Sequence, residues 1–582
     1  MTSNTNSPLN SSIPTSIQSP YRGFITKSDR QIISHHILDT EQELKAFDTR
    51  LKKLNTEINR LRGAVILVET RREMVDKKLA NYRSLLSPIH RMPPEIMTEI
   101  FKLCCSYSSL GTYRLCSPSY LPPPMMLSSV CGRWRELALN TPALWASLFI
   151  YETLSSPDTR VYSGAKLFMD RSKSAPLTIN AEYEGPPSHG RDFFEPLIQN
   201  SRRWACLDLS IEASNLEARM FHSLRDQVPL LKHLGLRASS PIPPPTVGQT
   251  ALLATSELAA FELAPSLQSL TLAGHLVTPR LVLPWRQIKT LELDSTVIDA
   301  LLPILRQCCT VEQITLRWIN GSSLHTGSYV LLPSAGEISI NVSIAYVDAL
   351  SSILEHLTLP GLKSMKLQTF RFAERHSPWD GVPTLREFFI RSSCSLTSLC
   401  LRYVPMDDKS LLSLLPLIPA LTTLTIVGNG ETGSGTGTKM ITNHFLARLS
   451  LYRETVGGFG TDRNRSADML IPHLKDLSLV IDDFEGLDEQ LLVSALASRL
   501  PDTSRMLLGA EGMEHDTPAL DGCLGSIGIT LKVQSEYSFD ALLSMECFRD
   551  AGVKVEIRVI RLLETSVDSS EESGEESDEE DK

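Results

Sequence analysis

The segment from Gly433 to Lys439 is the first candidate for chemistry, because it alternates glycine with serine or threonine and ends in lysine. Glycine-rich loops of this kind can cradle a phosphate group with their backbone N–H groups, while the lysine contacts the phosphate. That pattern requires the lysine directly after the last glycine and a serine or threonine after the lysine. Here Thr438 separates Gly437 from the lysine, and Met440 follows it. The phosphate-loop pattern therefore fails, and the segment is interpreted as a flexible linker.

Metal-ligating and nucleophilic residue types occur without the spacing that a site requires. The 13 histidines form no H-E-x-x-H motif, and the 11 cysteines contain no C-x-x-C pair. A Gly-x-Ser-x-Gly motif is also absent from the sequence. The pairs Cys104–Cys105 and Cys308–Cys309 lie in apolar helical patterns and are interpreted as small core residues. The sequence predicts no catalytic residue, no metal and no cofactor, so we expect a protein that is not an enzyme.

The charge balance argues against nucleic acid as the main partner. The chain has 57 basic and 67 acidic residues, a net charge of −10. Residues 566–582 hold nine acids and one lysine, so −8 lies in this tail and −2 in the remainder. Proteins that neutralise several phosphates normally carry a basic surplus. No run of about 18 apolar residues occurs either, so we expect no membrane partner and a cytoplasmic or nuclear location.

A heptad pattern of apolar residues follows an N-terminal arm. Residues 1–36 lack periodic apolar spacing and are interpreted as a disordered arm. Residues 37–86 contain no proline and repeat an apolar residue every 3.5 positions on average, which predicts a coiled-coil helix. The apolar seam consists of Ile37, Leu44, Phe47, Leu51, Leu54, Ile58, Leu61, Val65, Val68, Val75, Leu79, Tyr82 and Leu86. Charges flanking the seam permit a parallel homodimer, and a single amphipathic helix folded back onto the rest of the chain remains the alternative.

Two short helices are predicted between this coil and the rest of the chain. Pro93 and Pro94 can begin a helix, because the first helical positions need not donate an N–H group. The residues Ile96, Ile100, Leu103 and Cys104 then fall on one face of the first helix. The residues Leu127, Val130, Trp134 and Leu137 fall on one face of the second, which we expect to end at Asn140-Thr141-Pro142.

This segment resembles the F-box, whose pattern begins with Leu-Pro-x-Glu-Ile and ends with Val-Cys-x-x-Trp-Arg and Pro-x-Leu-Trp. The matching segments here are Met92 to Ile96, Ile100-Phe101, Val130 to Leu137, and Pro142 to Trp145. Met92 replaces the usual leucine, and a longer Ser/Pro-rich stretch from Ser106 to Pro124 replaces a short connection. The resemblance implies a domain at residues 87–150 that binds a Skp-type adaptor. Carried over by position, the adaptor-binding residues would be Pro93, Ile96, Ile100, Phe101, Val130 and Trp134.

Nine apolar-x-x-apolar-x-apolar triplets occur between about Trp204 and the end of the chain, most of them 21 to 36 residues apart. This spacing is typical of leucine-rich repeats, in which the triplet lies on a short strand and the chain returns as a helix or an irregular turn. The triplets begin at Leu231, Leu267, Ile288, Val311, Ala335, Leu362, Leu396, Leu421 and Leu474. Residues 297–305, 347–354 and 407–417 show the apolar spacing of return helices.

The predicted fold is therefore α/β: a long N-terminal helix or coiled coil, a small all-α F-box, and a leucine-rich-repeat solenoid with disordered termini. The solenoid is expected over residues 151–565, with a flexible insertion at 428–466 and an acidic disordered tail at 566–582.

An F-box followed by leucine-rich repeats is a known arrangement of that family. It implies a substrate-recognition subunit of an SCF-type cullin–RING ubiquitin ligase, with an unknown protein substrate held by the repeats. Two alternatives remain open: a ligase-independent scaffold, in which the F-box merely caps the repeats, and an enzyme with an unrecognised site.

Overall fold

The computed structural model describes 18 parts of the chain: residues 26–106, 122–152, 159–184, 187–212, 221, 224–239, 259–274, 282–296, 298–319, 329–343, 347–370, 379–428, 439–450, 470–481, 486–500, 524–533, 548–549 and 552–561. The chain divides into two compact units, Met1–Met97 and Thr98–Lys582. The predictions for residues 1–25 and for the acidic tail lie outside the described residues.

The first helix, α1, spans Lys27–Leu85 and begins earlier than the sequence analysis predicted. Residues 27–36, assigned there to the disordered arm, are helical. A capping box causes this start: Asp29 N–H donates to Thr26 Oγ1 (3.3 Å) and Thr26 N–H donates to Asp29 Oδ2 (3.1 Å). Neither glycine nor proline interrupts α1 except at Gly63. None of its side chains is buried, so its apolar seam is exposed along the whole helix.

Within the described residues, the second unit contains a sheet of 14 parallel strands. In chain order the strands are β1 Ser147–Glu152, β2 Leu177–Tyr183, β3 Trp204–Glu212, β4 His233–Ser239, β5 Ser269–Gly274, β6 Thr290–Asp294, β7 Gln313–Ile319, β8 Val330–Leu331, β9 Glu337–Ser343, β10 Leu357–Thr358, β11 Ser364–Phe370, β12 Ser398–Arg402, β13 Thr423–Val427, β14 Asp476–Ile481, β15 Ser526–Val533 and β16 Lys554–Arg561. Strands β8 and β10 form a separate parallel pair. Each strand of the large sheet lies beside the next one along the chain.

One face of the large sheet forms the core, and the other carries polar residues. The central register places one apolar residue per strand side by side, each with no exposed surface: Leu270, Leu291, Ile314, Ile338 and Met365. Residues at alternate positions, such as Lys366 and Gln368 on β11, are half-buried. We call this second side the polar face. Parallel sheets are normally covered by helices on both sides, so a side lined by half-buried polar residues is unusual.

The remaining described helices are short. They are α2 Pro94–Ser106, α3 Pro123–Val130, α4 Gly132–Leu139, α5 Thr159–Ser172, α6 Pro187–Ile198, α7 Ile298–Leu305, α8 Val347–His356, α9 Val382–Ser392, α10 Asp408–Leu414, α11 Asn443–Leu449 and α12 Glu489–Ala497. The predicted return helices correspond to α7, α8 and α10. The mixed α/β class and the strand at each of the nine triplets are likewise confirmed.

Part of the predicted flexible insertion at 428–466 is instead a helix. Thr442 Oγ1 accepts the Phe445 N–H (3.1 Å) and caps α11, which buries Phe445, Leu446 and Leu449. The apolar residues follow helical spacing after a capping threonine, a signal that the surrounding Gly/Thr-rich composition obscured. Residues 429–438 and 451–466 lie outside the described residues.

No helix in the described parts of the chain is both long enough and apolar enough to span a bilayer.

Candidate functional site

Short helices form the segment that resembles the F-box. A 3-10 helix at Pro88–Arg91 precedes α2, and a second 3-10 helix at Pro142–Trp145 follows α4. Proline occupies one of the first two positions of both 3-10 helices and of α3, where its missing N–H group leaves no intrahelical bond unmade. The segment therefore takes its helix boundaries largely from its prolines.

The second predicted helix is in fact two helices, α3 and α4, joined at Cys131. This residue has extended backbone angles (φ −157°, ψ 170°), and Gly132 then begins α4. Glycine is a poor helix former, and the break allows Arg135 Nε to donate to the exposed end of α3 at Ser128 O (2.9 Å). The correction changes the prediction that Leu127, Val130, Trp134 and Leu137 share one helical face, because the first two lie on α3 and the others on α4.

A pair of aromatic rings joins α2 to α4. Phe101 on α2 is fully buried, and its ring centroid lies 4.9 Å from that of Trp134 at an angle of 58°. Trp134 is itself half-buried. Tilted ring pairs at this separation contribute about 0.5–1.5 kcal/mol beyond the area they bury. This contact fixes the angle between the two helices.

The carboxyl end of the segment is anchored to the sheet. Trp145 has no exposed surface, and its Nε1–H donates to Ala138 O at the end of α4 (2.8 Å). Its ring packs edge-on against Phe168 of α5 (centroids 5.1 Å apart), and the guanidinium of Arg171 lies 4.3 Å from its centroid. The segment therefore continues directly into β1, without a flexible linker between Trp145 and Ser147.

The other side of these helices is apolar and exposed. Ile96, Ile100 and Leu103 form a stripe on α2 and are 51%, 37% and 57% exposed. On α3, Met126 and Val130 are 50% and 60% exposed. Each pair of neighbours in these sets is three or four residues apart, so both helices show one continuous apolar side. Isolated exposed aliphatic residues are ordinary on protein surfaces, but contiguous apolar stripes mark interaction sites.

The six residues predicted to bind an adaptor divide into two groups. Pro93, Ile96, Ile100 and Val130 are exposed, whereas Phe101 is buried and Trp134 is half-buried. Sequence reasoning missed Met126, although its spacing of four from Val130 on α3 is readable in the sequence.

No activated group accompanies this apolar side. Burial raises the pKa of the Cys105 thiol to about 11, and its neighbour Cys104 adds to the rise. The thiol is therefore protonated and unreactive near neutral pH. Lys102 Nζ lies 2.7 Å from Glu99 Oε1, an exposed ion pair within α2. Across the residues that the structure describes, no group of three or more His, Cys, Asp and Glu side chains could hold a metal ion.

A hydrogen-bonded chain of Asp208, His233 and Ser269 crosses three strands of the polar face. His233 Nε2 lies 3.0 Å from Asp208 Oδ1, and His233 Nδ1 lies 2.8 Å from Ser269 Oγ. Gly235 permits the first contact, since a Cβ there would lie 2.0 Å from Asp208 Oδ1. The residue types match those of a hydrolase triad, but the Ser269 N–H already donates to Lys232 O (2.9 Å). An oxyanion would need such free donors beside the serine, so we interpret the chain as a link between strands.

Comparison with known proteins gives a match for the segment that contains α2, α3 and α4. The family model described as F-box-like matches residues 89–151, which include α2, α3, α4 and most of β1. No curated protein matches the chain. The chain therefore contains an F-box-like domain, whose matched residues are a small part of the 582.

Proposed function

We propose that this chain is a substrate-recognition subunit of an SCF-type cullin–RING ubiquitin ligase. The F-box-like domain binds the Skp-type adaptor, the sheet region holds a protein substrate, and catalysis belongs to the partners. The observation that carries this proposal is the division of the F-box-like domain into a buried side and an exposed apolar side. We expect the protein in the cytosol or the nucleus.

The apolar stripe of α2 is the proposed main contact with the adaptor. Helix-in-groove recognition uses aliphatic residues three and four positions apart as anchors, which is the spacing of Ile96, Ile100 and Leu103. About half of the Ile96 and Leu103 surface faces water in this chain. Covering it would gain about 25 cal/mol for each Å² removed from water. Pro93, which directly precedes α2, and Val130, which lies on α3, are exposed and extend the contact.

Phe101 and Trp134 have a different proposed role. Their ring contact lies on the packed side, so they position the helices that carry the anchors and do not themselves enter the adaptor groove. Loss of either ring is expected to weaken adaptor binding through the shape of the domain.

We also propose that the sheet region is a leucine-rich-repeat solenoid. The support is the strict chain order of the strands, their parallel pairing, and the triplet residues at matching register positions. The short helices α7, α8 and α10 between successive strands fit the return segments of such repeats. In this arrangement the polar face is the surface available to a substrate.

A parallel homodimer through α1 completes the proposal. Its apolar seam is exposed throughout, with values from 44% at Leu79 to 73% at Leu86. Coiled-coil pairing buries such a seam. Within the helix, the Glu57 carboxylate forms an ion pair with Arg60 (2.7 Å). In the dimer, the same carboxylate would be shared between Arg60 and the partner helix. Sedimentation of the full chain should give twice the monomer mass, and a chain beginning at Ser87 should sediment as a monomer. Equal monomer masses would refute the dimer.

The alternative is a ligase-independent scaffold in which the F-box-like domain only caps the sheet. The burial of Trp145 and its contacts with α5 favour this alternative, because they serve the packing of the first repeat. Capping alone gives no reason for the exposed stripe on α2.

Copurification with a Skp-type adaptor tests the proposal. The double variant Ile96→Lys and Ile100→Lys places two charges on the stripe and should abolish copurification. A matched control, Leu230→Lys, changes a residue that is 46% exposed near β4 and should leave binding intact. Unchanged binding by the double variant would remove the proposed adaptor surface.

A further inference from the structure

The middle of the polar face carries a row of long polar side chains on neighbouring strands. The register places Arg317, Asn341, Gln368 and Arg402 side by side on β7, β9, β11 and β12. Arg317 is already engaged, because its Nη1 lies 3.1 Å from Glu292 Oε1. Asn341 and Gln368 are uncharged, and Arg402 has no ion pair among the residues the structure describes.

Two members of this row hold buried polar atoms without a hydrogen bond. Asn341 is 9% exposed, and its Oδ1 has no partner; Arg402 is half-buried, and its Nε has no partner. Buried polar groups are almost always hydrogen-bonded, since leaving one unpaired costs about 1–3 kcal/mol. An acceptor at Asn341 and a charged donor at Arg402 are therefore left unpaired just below the surface of the row, and each atom reaches a bound molecule only if its side chain turns outward.

Lys366 adds a second positive charge beside Arg402. It lies on β11 opposite Cys400 of β12, and Arg402 is two residues further along that strand. Burial raises the pKa of the Cys400 thiol, while the charges of Arg402 and Lys366 act against the rise. Both cations therefore lie close enough to act on one point of the polar face. Glu337 lies at the other end of β9, where it accepts from Gln313 Nε2 (3.1 Å).

An aromatic pair lies at the carboxyl end of the same strands. The rings of Trp318 and Phe370 are stacked, with centroids 4.7 Å apart and planes 17° apart, and both are half-buried. Trp318 has a φ of +51° and Tyr403, next to Arg402, has a φ of +57°. Bulky residues rarely adopt this conformation. Ser295, directly after β6, has the same conformation (φ +53°), so these angles belong to several strand ends of the sheet.

We propose that Asn341, Lys366, Gln368, Arg402, Trp318 and Phe370 form a binding site for an acidic residue in an extended segment of the protein substrate. The carboxylate binds between Arg402 and Lys366, a peptide N–H group donates to Asn341 Oδ1, and an apolar neighbour in the peptide packs on the stacked rings. We call these six residues the Arg402 patch. This inference rests on the proposed role of the sheet region in substrate binding.

A single carboxylate is the proposed ligand, and a phosphate ester is the competing one. A guanidinium group can bind either anion through two parallel N–H bonds. A phosphate near pH 7 carries about −1.5 to −2 charges and three acceptor oxygens, so the two ligands differ in charge and in the number of donors they need. Peptides that differ only in the central residue separate the two.

Capped nonapeptide libraries with a fixed central residue test the patch. Pools with central Glu, Gln or phosphoserine, all other positions being random, are immobilised, and retention of the full-length protein is measured. The Glu pool should retain several times more protein than the Gln pool. Arg402→Gln should lower retention on the Glu pool about tenfold, as expected for a lost charge-assisted hydrogen bond.

Arg237→Gln is the matched control, because Arg237 is exposed at the same level of the polar face on β4. It should retain peptides like the unchanged protein. Equal retention on the Glu and Gln pools, stronger retention on phosphoserine than on Glu, or equal losses in both arginine variants would overturn the proposal.

The adaptor assay on the same variants keeps this result separate from the proposed function. Arg402→Gln should still copurify with the adaptor, and the Ile96/Ile100 double variant should still bind the Glu pool. If the unchanged protein did not bind the adaptor but was retained on the Glu pool, the ligase role would be refuted and the proposal for the Arg402 patch would not.

Discussion

Phe101→Ala should mainly lower the stability of the F-box-like domain, whereas Ile96→Ala should mainly lower its affinity for the adaptor. Phe101 is fully buried against Trp134, so Phe101→Ala should cost about 3–5 kcal/mol of stability in the F-box-like domain. Ile96 is 51% exposed, so Ile96→Ala removes only about 1 kcal/mol of burial. The higher helix propensity of alanine returns a few tenths of a kcal/mol in α2.

Hydrogen exchange of the full chain, resolved to peptides, measures the packing effect. A loss of about 3 kcal/mol corresponds to roughly a hundredfold faster exchange wherever α2 and α4 open together. Phe101→Ala should show this across both helices, and exchange in the large sheet should stay unchanged. Ile96→Ala should change exchange in α2 by less than about tenfold, because its cost is below 1.4 kcal/mol.

The two variants should rank in the opposite order for adaptor affinity, when the affinity is compared for the folded domain. Ile96→Ala should weaken adaptor binding about tenfold with the domain intact, as truncation of an interface anchor does. Phe101→Ala bound at saturating adaptor should regain its slow exchange, because the adaptor binds only the packed domain. Normal exchange in Phe101→Ala combined with lost adaptor binding would refute the assignment of Phe101 to packing.

Three further predictions concern the sheet region, and each is tested by thermal unfolding of the full chain. Gly274→Ala should destabilise the protein far more than Gly235→Ala. Gly274 has a φ of +68°, and its added Cβ would lie 2.7 Å from a backbone oxygen, whereas the side-chain carboxylate beside Gly235 can move aside. Equal losses of stability in the two variants would contradict this prediction. Arg499→Met should cost about 2–4 kcal/mol, since the buried guanidinium donates to three backbone carbonyl oxygens at 2.6–2.9 Å; a neutral result would show that water replaces it. Burial acts to raise the pKa of Asp408, but hydrogen bonds from Thr442, His444 and the Lys409 N–H, together with the charge of His444, hold this pKa below its usual 3.8. The contribution of Asp408 to stability is therefore present above pH 4 and is lost as pH falls through the lowered pKa. Asp408→Asn should therefore narrow the stability difference between pH 6 and pH 3, and an unchanged difference would exclude this carboxylate as its source.

The nine strands found from the sequence share a reason for being readable. A buried strand that repeats at matching register must place apolar residues at fixed offsets, and the triplets beginning at Leu267 and Ile288 show this directly. The triplet pattern also occurs on three strands that were not predicted: Trp145/Leu148/Ile150 on and before β1, Trp204/Leu207/Leu209 on β3, and Leu524/Ile527/Ile529 on and before β15. The first two were missed because tryptophan takes the first position of the triplet, and the third because a long interval precedes it. On β2 the register aligns Ile179 and Ala181 with Leu207 and Leu209 of β3, so Pro176 takes the first position of the triplet and a search for three apolar residues misses this strand.

The F-box-like domain shows a second limit of sequence reasoning. Its helices and their apolar residues were predicted, yet sequence spacing alone could not separate the exposed Ile100 from the buried Phe101 beside it. That separation depends on which side of α2 meets Trp134, and this in turn depends on the break at Cys131. Local propensity at Gly132 makes the break possible, but only the bond from Arg135 to Ser128 and the ring contact define its angle.

The anchored and the exposed sides of this domain together explain why capping and adaptor binding need not compete. Trp145 links Ala138 of α4 to Phe168 of α5, so the end of the domain is part of the packing of the first strand. A receptor must transfer orientation from its adaptor to its substrate, and a domain joined to the sheet by a buried tryptophan does this better than one on a flexible linker. The stripe on α2 is exposed and takes no such part in packing among the residues that the structure describes. A rigid adaptor-binding subunit requires one side that packs against the rest of the chain and one side that stays exposed for the adaptor. A cap without a partner would require only the packed side.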